Sequence, residues 1–267
     1  MISNILIYVD DINHIDDYRK AGVSAFLFAL EGFCVGYKTY SLEEISKVEV
    51  SNKYIILNRV LDCKDIDKLK EVLPSIKDIK GLVFEDIGVY NLVKDMNLGM
   101  ELILFQNHFG TNTRSVNFWL DRVDSMFISN EITKDEVCTI LDNVSKDVVL
   151  HLFGYNQAMY SRRLLLTNWS EQFEIPNKNT NVIVDRATKV KFRAIENEYG
   201  TVMYSDKIFN GKELLGLKNV KYYYVNTMLV EHSVVMDFLT NSGHSSDEED
   251  NGFLDRETIY KLKERNK

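Results

Sequence analysis

The side chains best suited to chemistry stand directly after apolar runs of strand length. Carboxylate, imidazole and amide groups of this kind bind substrates or transfer protons when they converge on one site. Any one of them is also what an ordinary loop cap contains, so the case for a polar site rests on the whole set. Its members are Glu31, Asn58, Arg59, Glu85, Asp86, Asn107, His108, Asn130, Glu131 and Asn226.

Familiar catalytic patterns do not organise these residues. The sequence has no His-Glu-x-x-His and no Gly-x-Ser-x-Gly, so neither a zinc hydrolase nor a nucleophile elbow is indicated. Glu85 and Asp86 form a carboxylate pair, but adjacent strand residues point to opposite faces, so only one of them can face a site. His108 and His151 lie near strand ends without a nucleophile beside them, and a structural role is the simpler interpretation of each.

A second group of candidates is basic or phenolic. The segment "GYNQAMYSRRLLLTNW", residues 154–169, combines Tyr160 with two adjacent arginines. It is either a binding loop at the mouth of a site or the first turn of an ordinary helix. Further on, alternating lysine and arginine predict a basic strand face, which is either solvated or in contact with phosphate. The candidates for RNA contact are Arg162, Lys189, Lys191 and Arg193.

The elements that would position these residues alternate between strand and helix. Eight short apolar runs, from "NILIYV" to "VKYYYV", suit parallel strands buried on both faces. The segments between them have helical periodicity, and Ser41 and Thr133 are good N-caps. Eight such units predict an α/β fold, a (β/α)8 TIM-like barrel with an inserted β-hairpin region after strand 7. A doubly wound sheet is the alternative, although no strand precedes Gly-x-Gly-x-x-Gly.

The domain organisation follows from this pattern. Residues 1–240 are predicted to form the barrel, with 155–206 inserted over the C-terminal mouth and a turn at 198–200. Residues 241–267 are predicted to be an acidic loop, "HSSDEEDNG", and a basic tail. No apolar run approaches the ~18 residues of a membrane span, and the N-terminus does not read as a signal peptide, so we expect a cytoplasmic protein.

Charge and cysteine content narrow the function classes. A net charge of -8 argues against a protein that coats nucleic acid in general, although a local basic groove remains compatible with it. Cys34, Cys63 and Cys138 are far apart, with no paired spacing, which indicates reduced thiols rather than disulfides or a zinc site. No metal is predicted.

Five segments, taken in order, resemble the peptidase U32 family. They are "AGVSAFLFALEGFCVGYKTYSLEEI", "IKGLVFEDIGVYNLV", "SMFISNEITKDEV", "FGYNQAMYSRRLLLTNW" and "NGFLDRETIYKLK". By position, the resemblance implies that Asp86 and Gly88 stand at the family's Asp-x-Gly, and Glu131 at the glutamate of its Arg-Glu-Leu. In the family's hallmark segment it aligns Gly154, Tyr160, Ser161 and Arg163. Arg163 is therefore the arginine expected to point into the mouth and bind an anion, while Arg162 points outward.

The sequence departs from the family at two hallmark cysteines, which are replaced by Gln157 and Leu164. Many U32 members resemble hydroxylation proteins that carry a four-cysteine [4Fe-4S] cluster. Cys34 stands near the place of the first ligand, but one thiolate cannot hold such a cluster. We therefore expect no cofactor, and no [4Fe-4S] cluster, in this chain.

The resemblance implies three hypotheses of different classes. The first is an auxiliary or non-catalytic subunit in RNA, specifically tRNA, base hydroxylation, with a cysteine-bearing U32 relative and tRNA as partners. The second is a hydrolase or peptidase, as the family name implies. The third is a barrel that binds a small molecule. No membrane partner is expected, and candidates for substrate or anion binding are Tyr160, Arg163, Glu131, Asp86, His108 and Glu31.

Overall fold

The computed structural model describes residues 2–106, 108–176, 178, 180–241 and 248–256. Its strands are β1 Ile5–Tyr8, β2 Ala25–Leu30, β3 Thr39–Tyr40, β4 Lys53–Leu57, β5 Gly81–Phe84, β6 Glu101–Leu104, β7 Ser125–Met126, β8 Val148–Ser161, β9 Thr180–Val184, β10 Lys191–Asn197, β11 Gly200–Asn210, β12 Val220–Val225 and β13 Glu249–Asp250. Its α-helices are α1 Ile15–Lys20, α2 Leu42–Lys47, α3 Cys63–Val72, α4 Ile87–Asp95, α5 Thr113–Leu120, α6 Lys134–Leu141, α7 Leu165–Gln172 and α8 His232–Thr240. The fold is mixed α/β, with one large sheet and helices.

Several helices begin where the local sequence encodes a cap. At α2 the Ser41 side chain accepts a hydrogen bond from the Glu44 backbone N–H, and the Glu44 carboxylate accepts one from the Ser41 N–H. The same reciprocal arrangement occurs at Thr133 before α6 and at Asp62 before α3. These boxes satisfy backbone donors that the first helical turn leaves without partners, so the helix starts are set locally.

The parallel strands form one continuous series. β1 pairs in parallel with β2, and the series continues through β4, β5, β6 and β7. On its other side β1 pairs with β12, which pairs in parallel with β8. An isolated parallel bridge between Phe127 and Val149 joins the two ends of the series. The C-terminal ends of these strands therefore lie along one edge, here called the mouth.

The strands bury alternate residues in two separate apolar clusters. One cluster, which includes Ile7, Phe28 and Leu104, packs against residues of the helices. The other contains only strand and loop residues, among them Leu27 and Val83, and covers the opposite, inner face. Burial on both faces explains why the strands read as near-continuous apolar runs.

The inner face is closed at the N-terminal ends of the strands by a polar cluster. The Tyr54 hydroxyl donates to the Glu101 carboxylate at 2.9 Å and lies 3.2 Å from the Tyr222 hydroxyl. Lys80 and Lys221 both form ion pairs with Glu101. The charged groups at this end of the inner face are therefore paired with one another. The candidate site residues lie at the opposite end, the mouth.

Strand β8 departs from the prediction for residues 154–169. The pattern favoured a loop followed by a helix start, but β8 continues through Ser161 and the helix begins at Leu165. At Gly154 (φ 115°) the strand leaves β12 and pairs antiparallel with β11 instead. A Cβ at this position would overlap the backbone carbonyl of Asn226, so the change of partner requires glycine.

An antiparallel sheet follows from this change of partner. Strands β9, β10 and β11 and the Tyr155–Ser161 part of β8 compose it, and it is called the roof below. Strand β9 was not predicted. Lys189 precedes β10 and has φ 63°, so the expectation that it shares one strand face with Lys191 and Arg193 is wrong for Lys189.

The roof contacts the loops of the mouth through hydrogen bonds. The Tyr204 hydroxyl donates to the Gly36 carbonyl at 2.6 Å, and the Asn197 amide donates to the Cys34 carbonyl at 3.1 Å. Both acceptors belong to the loop between β2 and β3. These contacts hold the roof against the C-terminal ends of the parallel strands.

Part of the predicted C-terminal segment lies outside the described residues, namely 242–247 and 257–267, and so does Asn107. Of the remainder, β13 pairs with β11, and Leu254 is buried. Within the described residues, no helix has both the length and the apolar character needed to cross a bilayer.

Candidate functional site

Glu85 is an acidic residue on the inner side of the mouth. It follows β5 two residues after Val83, whose side chain belongs to the inner cluster. The Gln157 side chain, which comes from the roof, lies close enough to its carboxyl group to affect the pKa of Glu85. Tyr37 and Tyr204 lie near enough for Glu85 to raise their pKa values electrostatically. Glu85 therefore joins the parallel strands to the roof.

Burial raises the pKa of Glu85 to about 8, and the neighbouring Gln157 amide opposes this change. A small part of Glu85 is accessible to solvent, but the protein atoms packed around its carboxyl group determine its desolvation. The carboxyl group is thus mainly protonated at pH 7. The Gln157 Oε1 atom is buried and has no hydrogen-bond partner among the described residues, and protonated Glu85 provides a donor next to it.

Tyrosines and a thiol line the same inner surface in neutral form. The Tyr37 and Tyr224 hydroxyls lie 3.3 Å apart, and burial raises the pKa of both residues. The Cys34 thiol donates to the Ile56 carbonyl at 2.9 Å, and burial raises its pKa to about 12. Neither the phenols nor the thiol is ionised at neutral pH, so the surface offers hydrogen bonds rather than charge.

His151 is a core histidine with its polar atoms engaged. Its Nε2 lies 3.0 Å from the Phe153 carbonyl and its Nδ1 lies 3.4 Å from the Asn130 amide. Burial lowers its pKa to about 4, so the ring is neutral at pH 7. The ring packs against Phe209 and Tyr224. These contacts agree with the structural interpretation and leave His151 poorly placed as a base.

A cavity of about 420 Å³ opens between the mouth and the roof. Its size suits a small ligand. The Asn130 amide donates to Asn156 Oδ1 at 2.7 Å, which orients both amide groups at the cavity. The lining residues are Asn130, Glu131, Asn156, Gln157, Ala158, Val190, Phe192, Ser205, Asp206, Lys207, Asp250, Gly252, Phe253 and Arg256.

Another cleft of about 550 Å³ lies beside α4 and α5. Its lining is mostly apolar, with Phe109, Phe118 and Trp119, and Arg114 is its ionisable residue. It is larger than the cavity under the roof, but it lacks the converging polar groups that orient a substrate. The mouth is therefore the better candidate site.

Arg59 is a buried cation that connects the mouth to the roof. Its guanidinium forms a 2.8 Å ion pair with Asp65 and donates to the Gly32 carbonyl. The ring of Tyr199 lies 3.7 Å from the guanidinium carbon. The Arg59 Nε is buried and has no partner among the described residues. Tyr160 is half-buried, and its hydroxyl lies 3.5 Å from the Tyr199 carbonyl.

The predicted acidic candidates separate into different environments. Asp86 caps α4 by accepting from the Gly88 N–H at 2.7 Å, and it also accepts from the Leu61 N–H at 2.8 Å. Backbone donors thus occupy this carboxylate, and Glu85 is the member of the pair that faces inward. Glu31 is exposed in the loop after β2. Glu131 lies 3.3 Å from His108 at the rim of the mouth.

The two adjacent arginines are both exposed, as expected for Arg162. Arg162 reaches Asp62 at the N-terminus of α3, with 3.4 Å between the charged groups. Arg163 is exposed, and its side chain forms no ion pair within the described residues. The inward orientation of Arg163 and its binding of an anion therefore stay predictions. Both residues lie between the end of β8 at Ser161 and the start of α7 at Leu165.

Arg193 is the basic candidate that the structure turns toward the interior. Its guanidinium lies 4.7 Å from the Tyr155 ring centre, and its Nε is buried without a partner among the described residues. Lys189 and Lys191 are exposed. The four residues proposed for RNA contact therefore do not form one continuous strip.

Sequence reasoning missed the roles of Gln157, Tyr37, Tyr204 and Tyr224. Alternation along β5 was the available signal for Glu85, because Val83 and Glu85 fall on the same face. No local signal linked Gln157 to Glu85, since 72 positions separate them in the sequence. Their contact depends on the change of strand partner at Gly154.

Residues 41–223 match the family model for peptidase family U32. The chain belongs to peptidase family U32. Among solved structures, the U32 peptidase Mk0906 aligns at 12% identity with a TM-score of 0.48, over 84% of this chain and 92% of that chain. A chitinase from Chromobacterium violaceum aligns at 10% identity with a TM-score of 0.43, over 91% and 100%. Comparison with curated proteins gives no match. At these identities the two structural alignments concern the fold alone.

The residues of this U32 chain do not suit a [4Fe-4S] cluster. The resemblance places Gln157 and Leu164 at the two hallmark cysteine positions, and neither side chain is a thiol. The buried Cys34 thiol donates to a carbonyl and is not a thiolate. Cys63 is exposed on α3, and Cys138 lies on α6. Such a cluster requires thiolate ligands that converge on one point, and the side chains of the mouth are amide, phenol and carboxyl groups instead.

Proposed function

We propose that this U32-family chain is an auxiliary, non-catalytic subunit in RNA base hydroxylation, with tRNA as the RNA class and without an iron–sulfur cluster of its own. The observation that carries the proposal is Gln157. By the resemblance it stands in place of a hallmark cysteine, and its amide lies beside Glu85 and lowers the pKa of that residue. The redox centre is then supplied by a cysteine-bearing U32 relative acting as partner.

The proposal includes a finer description of the fold. The parallel strands form a closed (β/α)8 barrel, and residues 155–206 are an insertion over its mouth. Support comes from the parallel pairings on both sides of β1 and from the bridge between Phe127 and Val149. The hydrogen bond from Tyr204 to Gly36 supports the placement of the insertion.

RNA contact, in this proposal, falls to the exposed basic residues near the roof. Arg163, Lys189 and Lys191 are exposed. Arginine and lysine at the surface bind phosphate without reading base sequence, so they would position an RNA rather than select it. Arg162 contributes less, because Asp62 already pairs with it.

A hydrolase or peptidase of the U32 family is the second candidate function. It is favoured by the proton that Glu85 keeps at neutral pH, because a neutral carboxyl group can act as a general acid, and the neighbouring Gln157 lines the cavity under the roof. The cavity of about 420 Å³ also suits a small-molecule-binding barrel. The hydrolase needs Glu85 for its activity, whereas the auxiliary subunit does not.

The experiment deletes the gene in its native cell and measures hydroxylated nucleosides in tRNA by mass spectrometry. The modification should disappear and should return with the wild-type chain. It should also return with Glu85→Gln, because the auxiliary role requires no proton transfer by this residue. A tagged wild-type chain should recover a cysteine-bearing U32 protein. Unchanged tRNA hydroxylation in the deletion strain would contradict the proposal. If Glu85→Gln still recovers the partner but fails to restore the modification, the chain is catalytic.

A further inference from the structure

Strand β9 is an open edge of the roof. In the described sheet it pairs with β10 and with no other strand. Its sequence, "TNVIV", contains no charged residue and no proline. Natural sheet edges are usually protected by charge, proline, a bulge or a covering element, because an open edge pairs readily with another strand. None of the described elements covers this one.

The side chains around this edge are apolar and exposed. Val182 is 56% exposed and Val184 49%, and both point to the same face because they alternate along the strand. Before β9 in the chain, Trp169 and Phe173 are 55% and 59% exposed, and their ring centres lie 5.5 Å apart. Apolar side chains clustered at this density on a surface mark an interaction site.

The two ends of β9 carry opposite net charges. Before the strand, Glu171, Glu174 and Lys178 give a net charge of −1. After it, the turn at 185–190 contains Asp185, Arg186 and Lys189, with a net charge of +1. The Asp185 side chain accepts hydrogen bonds from the Ala187 and Thr188 backbone N–H groups, so the two cations dominate the surface of the turn.

We propose that a second copy of this chain binds here, with β9 pairing antiparallel to β9 of the partner across a twofold axis. This arrangement places the basic turn of each copy against the acidic end of the other. A pairing centred on Val182 places Val182 of one copy opposite Val182 of the other. No like charges then meet at the centre of the pairing. A closed twofold dimer also removes both open edges at once.

Pairing in this manner goes beyond the auxiliary function proposed above and does not depend on it. Lys189 would lie in the dimer interface, which leaves Arg163 and Lys191 as the exposed cations available to RNA. The cavity under the roof is not used in the pairing, so ligand binding and dimer formation can be tested separately.

Sedimentation velocity of the full chain, over roughly 1 to 100 µM, tests the interface. The wild type should dimerise within this range, as specific interfaces of moderate size do. Val182→Lys places two like charges opposite each other and should raise the dissociation constant at least about tenfold. Val60→Lys is the matched control, because Val60 is 45% exposed outside the roof; it should dimerise as the wild type does.

A charge exchange between two variants tests the orientation. Glu171→Lys/Glu174→Lys and Arg186→Glu/Lys189→Glu should each form weaker homodimers, since like charges then meet at both contacts. An equimolar mixture should form a heterodimer of about wild-type affinity, because every contact again joins opposite charges. Circular dichroism checks that each variant is folded. A wild type that stays monomeric at 100 µM, or a mixture that associates no better than its components, would overturn the proposal.

Discussion

Glu85→Gln is expected to change how the stability of this protein depends on pH. In the folded chain, burial raises the pKa of Glu85 from 4.5 to about 8. The unfolded chain releases this proton near 4.5, whereas the folded chain keeps it up to about pH 8. Between these values the unfolded state binds fewer protons, so the unfolding free energy of the wild type falls as pH rises.

The slope is about 1.4 kcal/mol per pH unit for one proton, so Glu85 should account for a loss of roughly 5 kcal/mol between pH 4.5 and 8. Glutamine has nearly the same shape, keeps a hydrogen-bond donor for Gln157 and cannot titrate. We therefore expect Glu85→Gln to be increasingly more stable than the wild type as pH rises through this window, with no further change above it.

Urea denaturation at intervals from pH 5 to 9 measures the difference directly. Glu31→Gln is the control, because Glu31 is exposed in the loop after β2, where solvent screens its charge. It should give a curve parallel to that of the wild type. If the curves of Glu85→Gln and wild type are also parallel, the carboxyl group is not desolvated and the description of the mouth is incorrect.

Three further outcomes are expected. Asp65→Asn leaves buried Arg59 without its ion pair and should lower the unfolding free energy by about 3 kcal/mol. The control Lys47→Ala breaks an exposed ion pair and should lower it by less than about 1 kcal/mol. Urea titration measures both changes. Gly154→Ala should cost about 2 kcal/mol or more, because its φ of 115° and the adjacent Asn226 carbonyl both exclude a Cβ, and a near-wild-type melting temperature would refute this. Anaerobically purified protein should contain only substoichiometric iron and sulfide by chemical assay. A stoichiometric content would contradict the expectation that this chain holds no [4Fe-4S] cluster.

The buried parallel strands and several helix starts of this protein could be predicted from local sequence. Apolar runs such as Ala25–Leu30 are buried on both faces, so their composition alone identifies them. Capping boxes such as that of Ser41 satisfy backbone donors within four residues, so helix starts are also local. The order of five segments was sufficient to indicate the U32 family, which the match over residues 41–223 bears out.

The composition of the mouth was decided by tertiary structure. Strand alternation allowed only one of Glu85 and Asp86 to face inward, but it could not say that Gln157 would meet the inward one. That contact depends on Gly154, where β8 stops pairing with β12 and pairs with β11 instead. Both partner strands are far from β8 in the sequence, so local sequence does not determine the change. For the same reason the sequence did not show that β8 continues through Ser161 and that α7 begins only at Leu165. Local sequence determines which residues are polar at each strand end, whereas the long-range pairing of strands determines which of them meet.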